Sequence, residues 1–124
     1  MNKKLIFIFL IIIIGFLPLK ELLKPGVYKA HDFIEHAARL ASFYESLRQG
    51  NLIPRWGGNL NYTYGHPVLM FLYPLSNYLG SFFHFLGFNI IDSIKILFGL
   101  SYLLSGLFMF LWISKLWNRE AGFM

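Results

Sequence analysis

Cysteine is absent from all 124 residues. No disulfide can brace this chain, no thiolate can hold a metal, and a cysteine nucleophile is excluded. Charge is scarce as well: 14% of the residues are charged, against about a quarter in ordinary soluble proteins. Acidic groups are the rarest, six against eleven basic ones, for a net charge of +5. The basic residues are scattered, with no patch interleaved with exposed aromatics, so no nucleic-acid partner is expected. Four histidines are too dispersed for a finger motif. In place of charge there is apolar surface. Hydrophobic residues make up 56% of the chain, Phe alone fills 14 positions, and the mean hydropathy is +0.55. That composition belongs to an integral membrane protein rather than a soluble domain.

Three apolar segments divide the chain. The first, 5–23, contains "LIFIFLIIIIGFLPL" and extends to Leu23 if Lys20 and Lys24 reach back to the interface. Lys3 and Lys4 precede it as in a signal peptide, but no small-residue cleavage site follows, so an uncleaved signal anchor is expected. Pro25-Gly26 should end that helix. A second segment, 67–88, is long enough to cross the bilayer, yet Pro74 should bend or break it. Asn77, Ser81 and His84 share one helical face there, suited to interhelical hydrogen bonds or to lining a substrate path. The third segment, 96–114, can be capped by Asp92 or Ser93 and offers Ser101 and Ser105 for close packing. Trp112 and Trp117 suit the far interface. The expected fold class is all-α and integral to the cell membrane, a multi-pass chain with three transmembrane helices. A short cytoplasmic turn, 89–95, joins the last two spans, and a tail, 115–124, follows. Three spans with such polar and small faces ask for further helices, so the chain reads as a fragment or a subunit.

Between the first two spans lies a polar loop, 24–66. Lys3 and Lys4 place it outside the cell, whereas its own basic residues, Lys24, Lys29, Arg39, Arg48 and Arg55, argue for the inside. Phe33, Ala37, Leu40, Tyr44 and Leu47 recur at helical spacing and predict an amphipathic juxtamembrane helix over 32–49, lying on the membrane surface. Glu35–Arg39 and Glu45–Arg48 are spaced to pair, and Gly50 supplies the stop.

The start of that helix, "HDFIEH", collects the reactive groups. Asp32 followed by Glu35 is a capping-box variant that would satisfy free amides. The spacing of His31, Glu35 and His36 fits neither zinc-protease pattern, HExxH or HxxEH, and no metal site is predicted. A divalent cation could still bridge Asp32 and His36 from adjacent turns, so the cofactor requirement is unknown at this level. Arg55-Trp56 could pair a phosphate with a stacked sugar ring, or could anchor the loop at the interface. His66, before a proline, reads as an interfacial residue.

Taken in order, His31-Asp32, His36, Arg39, Gly50, Pro54-Arg55-Trp56, Gly65-His66-Pro67 and Phe71-Leu72-Tyr73-Pro74 follow a signal-anchor helix. This set resembles the N-terminal region of the membrane proteins labelled "6-pyruvoyl-tetrahydropterin synthase-related". That family is similar to the GT-C glycosyltransferases and to YfhO-like membrane proteins. The resemblance spans about residues 5–124 and rests on short motifs. It implies a partial GT-C-like fold and a polyprenyl-phosphate-linked sugar as donor at the outer membrane surface. By position it implies that Asp32 is catalytic, as a base that takes a proton from the acceptor or a carboxylate that orients it. It leaves His36, Arg39, Arg55, Trp56 and His66 as guesses for substrate or phosphate binding. It also implies an external loop, and a donor site completed by the remaining transmembrane helices of a longer protein, with membrane lipid as the other partner. Two alternatives stay open: a non-catalytic assembly or scaffold subunit, and part of a transporter built on the broken second span.

Overall fold

The computed structural model describes residues 3–124. Among them every regular element is helical: α1 (Lys3–Leu19), α2 (Phe33–Arg48), α3 (Val68–Phe71), α4 (Leu75–Phe85), α5 (Ile90–Leu116) and α6 (Arg119–Phe123). The one extended pairing described is an isolated antiparallel bridge, Gly57 to His66. Two compact units form, one running to Pro25 and resuming over Phe98–Met124, the other Gly26–Leu97.

The three expected spans take different forms. α5 has 27 residues, a rise of about 40 Å at 1.5 Å per residue, and is long and apolar enough to cross a membrane. α1 is apolar but has 17 described residues, about 25 Å. It stops at Leu19 rather than Leu23: Pro18 removes an amide from the last turn, and Leu22, Leu23 and Lys24 hydrogen-bond three residues back in successive turns. The second segment breaks where its proline predicts, leaving α3 with 4 residues and α4 with 11. Leu72 is extended, and Pro74 stands at the N-cap of α4, where its missing amide is no loss.

In the first unit, α1 packs on the later part of α5 through small residues and rings. A Cβ on Gly15 would come within 2.9 Å of Leu103, and Gly106 faces Ile11. Phe7 lies 6.2 Å from the buried Phe110 and 5.2 Å from Phe123 of α6. In the second unit, α2 packs on α4. Phe33, Leu40 and Phe43 are buried, Gly80 admits Leu40, and Phe43 meets Tyr78 edge-on at 4.9 Å. Of the predicted apolar face, Phe33 and Leu40 are thus buried in protein, while Ala37, Tyr44 and Leu47 stay half-buried. Gly50 ends α2 as expected, at φ +88°, with Gly50 N–H bonded to Leu47 and Asn51 N–H to Ser46.

Two helix starts reverse the sequence expectation. Asp32 is the N-cap of α2, but its side chain accepts no amide, and no capping box forms with Glu35. A working side-chain cap sits on α5 instead, six residues earlier than its expected start. Asp92 N–H donates to Asn89 Oδ1 and Asn89 Nδ2 to Asp92 Oδ2, both at 2.7 Å. Asn89, not Asp92 or Ser93, is the cap, while Ser93 Oγ donates to the Asn89 carbonyl. Asn89→Ala is expected to cost about 1 kcal/mol at this end, read as faster amide exchange at Asp92. Unchanged protection there would remove the cap from the account.

Candidate functional site

The polar cluster at the head of α2 faces outward. Phe33 is driven inward, edge-on to Tyr28 at 4.7 Å, and burial pushes the Tyr28 phenol up. That anchor turns its chain neighbours out. His31, Asp32, Glu35 and His36 are all exposed, and Arg39 is half-buried. Asp32 Oδ1 pairs with His31 Nδ1 at 2.5 Å, with the carboxylate 65% exposed. Among the described ion pairs, Glu45–Arg48 forms at 3.6 Å and Glu35–Arg39 does not. Among the described residues no three His, Asp or Glu gather to hold a metal ion.

The two later motifs, ten residues apart in sequence, meet through the β-bridge. Gly57 N–H donates to His66 O at 2.8 Å and His66 N–H to Gly57 O at 3.0 Å. The ten residues from Gly57 to His66 close as a loop, with Leu60 N–H bonded to Gly57 and Gly65 N–H to Leu60. Its tip, Asn61-Tyr62-Thr63, is left-handed at φ 54°, 54° and 70°. That conformation costs an L-residue roughly 1–2 kcal/mol, so the closing contacts must outweigh it. Besides the bridge, the Trp56 indole lies against the bare Cα of Gly65, where a Cβ would not fit. Pro54 is buried, Arg55 is exposed, and Trp56 is 54% exposed. His66 Nδ1 accepts from Val68 N–H at 3.1 Å, which ties it to the start of α3. Trp56 and His66 are thus brought into one loop, whereas Asp32 and His36 stand on the head of α2.

The stripe on α4 is held largely by structure. Ser81 is buried, and His84 binds the Phe88 carbonyl at 2.6 Å and meets Tyr44 edge-on at 4.4 Å. These contacts fix His84, while the buried Ser81 Oγ has no hydrogen-bond partner among the described residues.

A second polar group escaped the sequence reading. Ser42, Glu45, Ser46 and Gln49 occupy one face of α2 at i, i+3, i+4 and i+7, and with Trp56 and Asn59 they line a concavity of about 220 Å³. The spacing was visible in "SFYESLRQ", but without the loop folded over it a polar stripe reads as a solvated face. No protein-family model, curated protein or solved structure matches the chain.

Proposed function

We propose that this chain is the N-terminal part of a multi-spanning, GT-C-like glycosyltransferase that moves a sugar from a polyprenyl-phosphate donor at the outer membrane surface. What supports the reading most is the state of Asp32. A carboxylate at a helix start normally goes to capping; this one accepts no backbone amide, stays exposed and pairs with an imidazole. A carboxylate so placed can take the proton from an acceptor hydroxyl or orient it, while His31 holds its orientation.

The ordered motifs that resemble the glycosyltransferase family add to this, as does α5, whose length and apolarity suit a bilayer. On this reading α1, the broken α3–α4 pair and α5 sit as three passes in the cell membrane, and α2 lies with its head at headgroup height. Arg39, about two turns further along α2, is then the cation suited to a departing phosphate, while the exposed Arg55 belongs to the separate Trp56 loop. His36 and His66 are secondary candidates for that role. The test reconstitutes the complete membrane protein in liposomes with a polyprenyl-phosphate-linked sugar. Equal transfer by wild type and Asp32→Asn overturns the reading.

A further inference from the structure

The concavity on the far part of α2 has a ligand chemistry of its own. Its lining is dominated by hydroxyl, amide and carboxylate groups beside one indole. Among the lining residues only Glu45 carries charge. Its carboxylate is weakly engaged, 3.4 Å from Gln49 Nε2 and 3.6 Å from Arg48, so lone pairs remain for a ligand. Ser42, the deepest lining residue at 3% exposure, has a buried Oγ with no hydrogen-bond partner. Such an orphaned hydroxyl is costly to bury without compensation. Across from the helix stands the exposed Asn59 amide, while Asn51 donates to Ser46 Oγ at 3.1 Å and fixes that hydroxyl in place.

Three ligand classes can be compared on these groups. An anion would face Glu45 with no basic residue in the lining, and is disfavoured. A hydrocarbon would cover the indole but strand hydroxyls and amides without partners. A neutral sugar ring satisfies both halves, with an apolar C–H face for the indole and an edge of hydroxyls that donate and accept. The volume is below the roughly 300–1,000 Å³ of drug-sized sites, which suits one ring rather than a chain.

We propose that this concavity binds a single neutral pyranose, its apolar face on Trp56 and its hydroxyl edge on Glu45, Ser46 and Asn59. Ser42 to Asp32 is ten residues, about 15 Å along the helix axis, so this subsite stands apart from the transfer reading and does not depend on it.

The test uses the full chain in zwitterionic phospholipid nanodiscs, free of sugar-headed detergent. Trp112→Phe and Trp117→Phe leave Trp56 as the sole indole of the three. Its emission is followed against methyl glucoside, galactoside and mannoside, N-acetylglucosamine, inorganic phosphate and methylammonium. At least one pyranose is expected to give a saturable change, half-complete on the order of millimolar. Glu45→Gln or Asn59→Ala should weaken it about tenfold with the helical circular dichroism unchanged, as loss of one such hydrogen bond implies. The proposal is overturned by no saturable response to any pyranose up to about a hundred times that concentration. It is overturned equally by a response to phosphate or methylammonium alone, or by undiminished sugar affinity in both variants. Transfer lost in Asp32→Asn and binding lost in Glu45→Gln are separate readouts, so failure of one reading does not decide the other.

Discussion

Asp32→Asn is expected to lower sugar transfer about 10²–10⁴-fold, the range a positioned acid or base contributes. The same substitution should leave the fold intact, because the Asp32 side chain bonds no amide of α2. Asn is itself a good cap, so Asp32→Ala is the sharper stability control. Loss of a working N-cap costs about 1 kcal/mol, whereas loss of a charge near a helix N-terminus at an exposed position costs only a few tenths. Thermal unfolding of Asp32→Ala should show the smaller effect, alongside abolished transfer. A full capping loss, with activity falling in proportion to folded protein, would assign Asp32 to helix architecture and take the catalytic role from it.

Gly65→Ala should be the most damaging single methyl in the Gly57–His66 loop. Gly65 sits at φ +82°, and an added Cβ would drive into the Trp56 indole, well inside any real contact distance. The backbone cost is about 1–2 kcal/mol and the overpacking adds about 1–3 kcal/mol. Gly50→Ala isolates the first of these terms: its φ is +88°, and nothing lies within 4 Å of the new Cβ. Unfolding monitored at Trp56 should therefore be destabilised clearly more by Gly65→Ala than by Gly50→Ala. Equal effects would mean that the ring yields freely, and Trp56 would then be too loosely held to serve as a platform for a sugar face.

The local signals were strong wherever one residue type has one physical consequence. Pro74 broke the second apolar segment, Gly50 stopped α2, and the periodicity of Phe33, Leu40 and Tyr44 was sufficient to find that helix. Capping was harder to place. "DFIE" and "NIID" carry equivalent acid-bearing signals, and only the second forms a side-chain cap. The same amides can be satisfied in more than one way, and the neighbouring His31 captures the Asp32 carboxylate. Proximity across the chain was not legible. Trp56 and His66 were singled out separately; what joins them is a bridge whose geometry depends on three left-handed residues and one glycine.

By itself the sequence determined the all-helical class, a helix long and apolar enough for a bilayer, and a polar loop carrying the reactive groups. Composition and 3.6-residue periodicity act locally, so they can be read without knowing what packs against them. Only the tertiary structure decided what the faces of α2 meet. Part of its apolar face packs on α4, and one polar stripe borders a concavity with the Trp56 loop. A helix exposes several faces with the same chemistry, and which of them becomes a core or a pocket depends on chain segments that fold over it from elsewhere.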